Sequence, residues 1–311
     1  MARFSFPFVQ LAAAAGATAM VVTGQWLGAQ EADILAPAAS PGAAAGSTVI
    51  LRPAAEAIAP MRRSSTAPPL ERRSRDPEPS VAAASPAAPR PRLAVIIDDI
   101  GHDMEAARAL MTAGFPVTLA ILPYAEAAPQ IAAEAAAAGV ETFVHLPMEP
   151  VGLENPGPGT ITTALPPGEV AARVESALLR VPGAVGLNNH MGSRATRDAG
   201  VVAALFGALA GRDLIFVDSL THPDSIAAEA ARAAGLAAFD RDVFLDSAGA
   251  DPAAQLDAAL ARAVARGQAV AIGHPHPRTL AALATLAAKA DEAGVELIRV
   301  SGLERPEDAP S

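Results

Sequence analysis

The sequence contains no cysteine. This absence excludes disulfide bonds and thiolate metal sites, so that histidine, aspartate and glutamate are the only strong ligands available for a transition metal. Aromatic residues are also scarce, at 4% of the chain, with a single tryptophan, Trp26, and a single tyrosine, Tyr124. Because aromatic rings often supply the flat contact surfaces of sugar sites, this scarcity argues against tight glycan binding by stacking.

Positive charge is in short supply. Lysine and arginine number 23 against 33 aspartate and glutamate residues, which gives a formal net charge of -10 at pH 7. No basic cluster lies in the C-terminal two thirds of the chain. Since phosphate binding draws its affinity from clustered lysine and arginine, the composition excludes a nucleic-acid partner held by a broad basic surface.

The N-terminus carries the longest uncharged run of the chain. Residues 4–27 contain no charged side chain, and about 20 apolar residues are enough to span a bilayer. Residues 1–29 are therefore predicted to be a signal peptide or a membrane anchor, and the protein to be exported, either free in the periplasm or anchored in the inner membrane and facing it. Small residues at 17–19 and 27–29 suit cleavage, whereas the length of the segment suits a retained anchor, so both alternatives stay open.

Residues 30–92 have a different composition, dominated by alanine, proline, serine and arginine with no sustained period. Such a segment cannot bury enough apolar surface to offset its chain entropy. It is predicted to be a disordered linker. Residues 304–311 are predicted to be a short tail.

From residue 93 onward, short runs of valine, isoleucine and leucine alternate with longer alanine-rich segments of helical periodicity. This alternation is typical of βα units around a parallel sheet. The predicted strands are residues 93–98, 117–122, 141–146, 184–188, 214–218, 236–239, 269–273 and 295–300. Seven helices are predicted between them, among them residues 104–112, 167–179, 198–210, 252–266 and 278–293.

Seven or eight βα units in residues 93–303 lie at the small end of the size range of a (β/α) barrel, which takes about 200 to 250 residues or more. The predicted fold class is therefore α/β, as a deformed or incomplete (β/α) barrel of seven to eight strands. An open doubly wound sheet is the second choice. No Gly-x-Gly-x-x-Gly motif follows the first strand, which argues against a dinucleotide-binding fold.

Polar residues of a few types stand at the ends of the predicted strands. The carboxyl ends of barrel strands converge on one face, where catalytic groups usually lie. A carboxylate with two imidazoles would suit zinc or another divalent first-row ion and would leave a position for water. Ligand type alone does not separate zinc from nickel, cobalt or iron, and zinc is the first choice. The residues at these ends are Asp98, Asp99, His145, His190, Asp218 and His274.

Such an arrangement favours hydrolysis of an ester or an amide, since a bound metal lowers the pKa of water to about 7 and polarises a carbonyl oxygen. A spare carboxylate can accept the proton of the water, and a separate histidine can protonate the leaving group. Asp98 and His274 are placed for these two roles. Taken singly, an aspartate pair is often a helix cap, and a lone histidine is often hydrogen-bonded to the backbone. The same ligand types at the ends of four separate strands nevertheless favour a metal site.

Two asparagines precede His190 directly. Asn188 and Asn189 are predicted to orient ligands or substrate through their amide groups, although asparagine at a strand-to-loop junction is also ordinary turn chemistry. The remaining histidines do not follow a predicted strand and are predicted to be surface or loop residues. They are His102, His222 and His276.

A further polar group follows the sixth predicted strand. Arg241 is predicted to pair with Asp98 or Asp218 and so to tune the pKa of the base. The alternative is a surface ion pair that contributes little. Asp246 and Asp218 complete the set of residues predicted to support the site or the substrate.

At these residues the sequence resembles the divergent polysaccharide deacetylase family, a branch of the polysaccharide deacetylase superfamily. The resemblance implies a deformed (β/α) barrel, a divalent metal that is usually zinc, and removal of N- or O-acetyl groups from a glycan. It runs over residues 93–303 and rests on six motifs. These are Ile97-Asp98-Asp99-Ile100-Gly101, His145-Leu146-Pro147-Met148, Asn188-Asn189-His190-Met191-Gly192-Ser193, Asp218-Ser219, Arg241-Asp242-Val243-Phe244-Leu245-Asp246 and Ile272-Gly273-His274-Pro275.

The resemblance also implies roles for individual residues. Asp98 corresponds to the base, Asp99 to a metal ligand and His274 to the acid. The superfamily's second motif carries two closely spaced histidines, whereas this sequence offers His145 alone there. The other imidazole ligand is therefore assigned to His190, which makes Asp99, His145 and His190 the expected metal ligands.

The sequence thus predicts an exported metal-dependent hydrolase that deacetylates an envelope polysaccharide. Its expected partners are an acetylated glycan and, if the first segment is retained, the membrane. One alternative is a metal-binding but catalytically weak protein that binds carbohydrate or organises the envelope. Another is a metal-dependent hydrolase of a different amide or ester.

Overall fold

Nine strands and eight α-helices alternate along residues 89–305, the part of the chain that the computed structural model describes. The predicted segment 1–29, nearly all of the predicted linker and the last six residues lie outside this range. The strands are β1 (Arg92–Ile100), β2 (Thr118–Ile121), β3 (Glu141–Met148), β4 (Gly186–Met191), β5 (Ile215–Asp218), β6 (Ala237–Asp240), β7 (Val243–Phe244), β8 (Gln268–Gly273) and β9 (Glu296–Ile298). The helices are α1 (Met104–Met111), α2 (Ala128–Ala138), α3 (Pro167–Arg180), α4 (Ala199–Leu209), α5 (Ala227–Ala233), α6 (Pro252–Arg266), α7 (Pro277–Leu283) and α8 (Leu286–Ala293).

All of the strand pairings are parallel, and the sheet runs in the order β6-β5-β4-β3-β2-β1-β8-β7. Strand β9 pairs with the first residues of β1. The two end strands, β6 and β7, are consecutive in the chain but do not pair with each other. A cavity of about 860 Å³ lies near this seam, with Phe239, Arg241 and Val270 in its lining. The prediction of an incomplete (β/α) barrel is confirmed.

The strands form because their apolar side chains are buried on both faces, as parallel strands covered by helices require. In β1, Leu93, Val95 and Ile97 belong to the large core between sheet and helices. The alternate residues Ala94 and Ile96 belong to a second cluster made mainly of strand residues, which fills the inside of the barrel. Successive side chains point to opposite faces, and this alternation later decides which polar residues reach the site.

Helix starts follow local chemistry. The Asp103 side chain accepts a hydrogen bond from the backbone N–H of Ala106 at the start of α1, and Asp198 does the same for Val201 in α4. Such caps satisfy N–H groups that have no partner within the helix. Five glycines that come shortly after helices adopt positive φ angles, as left-handed caps do. They are Gly114, Gly139, Gly235, Gly267 and Gly294.

Two details of the prediction are wrong. The helix predicted over residues 278–293 is divided into α7 and α8, since Thr285 turns its N–H and its hydroxyl onto the carbonyl oxygen of Ala282. A side chain that bonds nearby backbone competes with the regular helix. The short strand β7 was also not predicted, because two residues carry no detectable period.

Within residues 89–305, no helix combines the length and the apolar character needed to cross a membrane.

Candidate active site

The alternation of side chains brings polar groups from four strands into the upper end of the barrel. Asp98 follows Ala94 and Ile96 on the inner face of β1, and His145 follows the inward Phe143 of β3. On β4, Asn188 pairs in register with His145, and His190 lies two residues further on the same face. His274 follows the inward Ile272 of β8. Burial is nearly complete for Asp98 and His145.

Asp99 departs from this alternation. As the neighbour of Asp98 it would point outward, but the pairing of β1 with β2 shifts register between Ile97 and Ile100. Asp99 lies within this irregularity with a φ angle of 56°. A bulge of this kind re-aims a side chain, and here it places both carboxylates on the same side of the sheet. Backbone strain of this type is common at functional sites.

Three side-chain atoms converge next to the bulge. The Oδ1 atom of Asp99 lies 2.9 Å from Nδ1 of His190 and 3.2 Å from Nε2 of His145. The two imidazole nitrogens are 3.1 Å apart. These residues are the three predicted metal ligands, and their ligand atoms lie close enough together to bind a single ion.

Asn188 decides which nitrogen of His145 carries the proton. Its amide NH2 donates to Oδ1 of Asp98 at 2.7 Å, so its amide oxygen faces Nδ1 of His145 at 2.9 Å. That oxygen can only accept, which assigns the proton to Nδ1 and leaves a lone pair on Nε2. In neutral His145, therefore, the nitrogen that faces Asp99 is an acceptor.

This arrangement fits a cation. Asp99 Oδ1 is buried and has no hydrogen-bond partner among residues 89–305, although acceptor atoms without a partner are costly to bury. A tetrahedral zinc ion with ligands at about 2.1 Å would hold its ligand atoms about 3.4 Å apart, close to the 2.9 to 3.2 Å found here. Asp99, His145 and His190 would hold such an ion with little movement.

The two neighbouring aspartates have different proton affinities. Burial raises the pKa of Asp98, and this effect exceeds the opposing influence of His145 and the hydrogen bond from Asn188. Burial also acts to raise the pKa of Asp99, but His145 and His190 overcome it and lower that pKa. Paired carboxylates with separated pKa values are typical of sites in which one group handles protons.

His274 is held by Asp246 on the opposite side of the site. Asp246 Oδ1 lies 3.0 Å from Nδ1 of His274, and its Oδ2 accepts from the His274 N–H and from the Thr279 hydroxyl. Burial alone would lower the pKa of His274, but Asp246 together with the charges of Asp98 and Asp99 raises it. Nε2 of His274 lies 3.8 Å from Oδ2 of Asp99. His274 therefore turns Nε2 toward the predicted ligands, and its raised pKa favours the protonated ring.

Two residues predicted to support the site hold the loops around it. Asp218 shares the outward face of β5 with Phe216, and its carboxylate accepts from the Ser225 hydroxyl and the Leu220 N–H. Asn189 likewise accepts from the Ser219 N–H and donates to the Met191 carbonyl. Both residues fix the loops that frame the site, because strand alternation turns them away from its centre.

The predicted ion pair between Arg241 and Asp98 or Asp218 is not formed among the described residues. The guanidinium group donates to the backbone carbonyls of Ser219 and Leu220, and it lies 4.9 Å from the ring centre of Phe244. The backbone turns after β6, and this turn directs the Arg241 side chain to the two carbonyl groups. Arg241 thus fixes the loop after β5.

Sequence reasoning did not single out Thr279 or identify Ser219 as a partner of the site. Thr279 is buried and bonds Asp246. Ser219 is buried next to Asn188, with 3.3 Å between its hydroxyl and the amide nitrogen. Position 219 follows the inward Val217 of β5 in the alternation, and this signal was available in the sequence. Thr279 lies on a helix whose contact with Asp246 only the fold reveals.

Comparison with known proteins adds independent evidence. Residues 95–303 match the model of the family described as divergent polysaccharide deacetylase. An uncharacterized protein of Haemophilus influenzae is 37% identical over 194 residues, which cover 62% of this chain and 69% of that protein. The uncharacterized protein YibQ of Escherichia coli is 34% identical over 194 residues, which cover 62% of this chain and 61% of YibQ.

A solved structure shows the same fold. The crystal structure of an uncharacterized protein from Agrobacterium tumefaciens aligns with a TM-score of 0.65 and 23% identity, covering 70% of this chain and 91% of the other. The family match extends over more than half of the chain and includes each of the site residues described above. The chain therefore belongs to the divergent polysaccharide deacetylase family.

Proposed function

We propose that the protein is a metal-dependent hydrolase that removes acetyl groups from a polysaccharide of the cell envelope. The observation that carries this proposal is the meeting of three metal-ligating atoms at 2.9 to 3.2 Å from one another. One of them is a buried carboxylate oxygen without a hydrogen-bond partner in the described part of the chain. The family match supports a carbohydrate deacetylase. Zinc is the proposed ion, held by Asp99, His145 and His190.

When bound, the metal would polarise the acetyl carbonyl and make water more acidic. Asp98 is the proposed base, because its carboxylate lies beside the ligand group, with Oδ2 3.6 Å from Nε2 of His145. Its raised pKa matches a group that gains a proton during turnover. Asn188 holds Oδ1 of Asp98 in place and leaves Oδ2 to act.

His274 is the proposed acid. It would give its proton to the sugar nitrogen or oxygen that leaves from the acetyl carbon. The hydrogen bond that Asp246 accepts from Nδ1 of His274 fixes the ring and favours the protonated form. The side chain of His274 is 21% exposed and that of Asp99 is 37% exposed, so a substrate can reach both from solvent.

The test is acetate release by the purified full-length protein, loaded with zinc, from a panel of acetylated glycans. The panel includes N-acetylated glucosamine oligomers, peptidoglycan fragments and O-acetylated xylan. Acetate release that disappears in Asp98→Asn supports the proposal. Glycan binding without acetate release, in a zinc-loaded protein, would instead support a carbohydrate-binding protein. Hydrolysis limited to acetylated compounds that are not glycans would support a hydrolase of another ester or amide.

We also propose that the protein is exported, on the basis of the uncharged residues 4–27. Fusion of alkaline phosphatase, which is active only after export, to the C-terminus tests this. Phosphatase activity that is lost when residues 1–29 are deleted supports export. Activity confined to the cytoplasm, measured with a cytoplasmic reporter at the same position, would contradict it.

A further inference from the structure

A second group of metal-ligating side chains lies beside the proposed acid. His276 follows His274 by two residues, and the two ring centres are 5.5 Å apart with 31° between the planes. Asp246, His274 and His276 each offer one ligand atom, and these atoms lie within 4.8 Å of one another. The group shares no residue with Asp99, His145 and His190. The proposed deacetylation makes no use of His276.

The backbone holds His276 at this position. Its N–H donates to the His274 carbonyl at 2.8 Å, and the residue precedes the first turn of α7. Asp246 is fixed by the His274 N–H and by the Thr279 hydroxyl. Two of the three candidate ligands are therefore already oriented. The third, His276, is exposed and can adjust to close the gap.

We propose that Asp246, His274 and His276 form a second site for a divalent first-row cation such as zinc, and that a cation bound there inhibits the enzyme. One carboxylate and two imidazoles make a ligand set suited to such ions. Inhibition follows because an imidazole bound to a cation cannot also be the imidazolium that protonates the leaving group. The inhibitory consequence rests on the proposed function, whereas binding of the cation does not.

The second site binds more weakly than the first. In the first group, Nε2 of neutral His145 and Oδ1 of Asp99 face each other as acceptors, so no proton lies between these two atoms. In the second, Asp246 Oδ1 lies 3.0 Å from Nδ1 of His274 in a hydrogen bond that shares a proton. A cation that uses this pair must first displace that proton. The ligand atoms must also draw together from separations of up to 4.8 Å.

The test measures zinc binding directly. The full-length protein is stripped of metal, dialysed against increasing free zinc, and its metal content is measured by mass spectrometry. We expect the wild type to bind a first equivalent tightly and a second at least tenfold more weakly. His276→Ala should retain the first and lose the second. His102→Ala, which removes an exposed histidine outside both groups, should bind both equivalents.

His190→Ala separates the two sites in the opposite direction, since it should lose the tight equivalent and keep the weak one. Saturation of the wild type at one equivalent, or a second equivalent unchanged in His276→Ala, would overturn the second site. These outcomes do not depend on any activity. A protein that can bind two equivalents but releases no acetate when loaded with one would refute the proposed function alone.

The inhibitory effect is measured as the ratio of acetate release at excess zinc to that at one equivalent, within each variant. The ratio should fall well below one in the wild type and in His102→Ala, and it should return to near one in His276→Ala. Equal ratios in the wild type and His276→Ala would show that a cation at the second site does not inhibit acetate release through His274.

Discussion

The two groups at the upper end of the barrel contain the same kinds of side chain and differ in where the protons lie. In the group of Asp99, His145 and His190, the carboxylate oxygen that faces the two imidazoles has no hydrogen-bond partner within the part of the chain that the structure describes. In the pair of Asp246 and His274, a carboxylate and an imidazole nitrogen share a hydrogen bond of 3.0 Å. The first arrangement suits a cation and the second suits a proton donor.

The difference arises from the partner of each imidazole. The amide oxygen of Asn188 accepts a hydrogen bond from Nδ1–H of His145, which leaves the lone pair of Nε2 free for a metal. Asp246 is charged, so it favours the doubly protonated form of His274 and raises the pKa of that ring against the effect of burial. A neutral acceptor thus prepares a ligand, while an anionic acceptor prepares an acid.

The largest effect is expected from removing a member of the first group. His190→Ala deletes one of the proposed ligands, and tight zinc binding and acetate release should both be lost. The loss should exceed the roughly 10- to 100-fold cost of removing an outer partner of a metal ligand. Metal content and acetate release measure it, with His222→Ala as a control from a loop outside both groups. Retention of one tight zinc in His190→Ala would contradict the ligand assignment.

The next largest effect is expected from Asp98, and it distinguishes loss of the base from loss of the metal. Asp98→Asn keeps the shape of the side chain but removes its ability to accept a proton, so turnover should fall by about 10²- to 10⁴-fold. Tight zinc binding should remain, because the three ligands are intact. Asp224→Asn, at a carboxylate that is 77% exposed, serves as the control. A loss of zinc from Asp98→Asn would instead make Asp98 a ligand.

A smaller effect is expected in the second pair. Asp246→Asn replaces the anionic partner of His274 with a neutral one and should reduce turnover by about 10- to 100-fold. Because Asp246 raises the pKa of His274, the variant should lose activity at a lower pH on the alkaline side of its pH-rate profile. The position of that alkaline limb is the measurement. An unmoved limb would show that His274 does not act as the acid.

The smallest effect is expected at Arg241, which bonds two backbone carbonyls and, within residues 89–305, no carboxylate. Arg241→Ala should lower the free energy of unfolding by about 1–3 kcal/mol, the cost of leaving buried carbonyl groups without a partner. The acidic limb of the pH-rate profile should stay in place. Urea unfolding and the pH-rate profile measure the two quantities, and a shifted acidic limb would restore the role in tuning Asp98.

Much of the barrel was predictable because its signals are local. Apolar runs marked the eight longer strands to within a few residues, and glycines marked the helix ends. The strand β7 and the break between α7 and α8 were missed, since the first is too short to carry a period and the second depends on how Thr285 bonds its own backbone.

The candidate site was predicted less evenly. Alternation along β1, β3, β4 and β8 carries Asp98, His145, His190 and His274 inward. The same rule turns Asp218 outward. The prediction that Asp218 supports the site rests on its position at a strand end and does not consider which face of the strand it lies on. Asp99 departs from the alternation because of the bulge at the end of β1. No local sequence pattern predicts this bulge.

The sequence by itself determined the parallel alternation of strands and helices, and the polar residue types at the strand ends, since hydrophobic periodicity and side-chain chemistry are local properties. It also excluded thiolate ligands. Only the tertiary structure decided which of these residues meet. Asp98 and Asn188 are 90 positions apart, and Asp246 and His274 are 28 apart. Contacts over such separations depend on strand order and register, and these in turn decide which nitrogen keeps a proton and which can bind a metal.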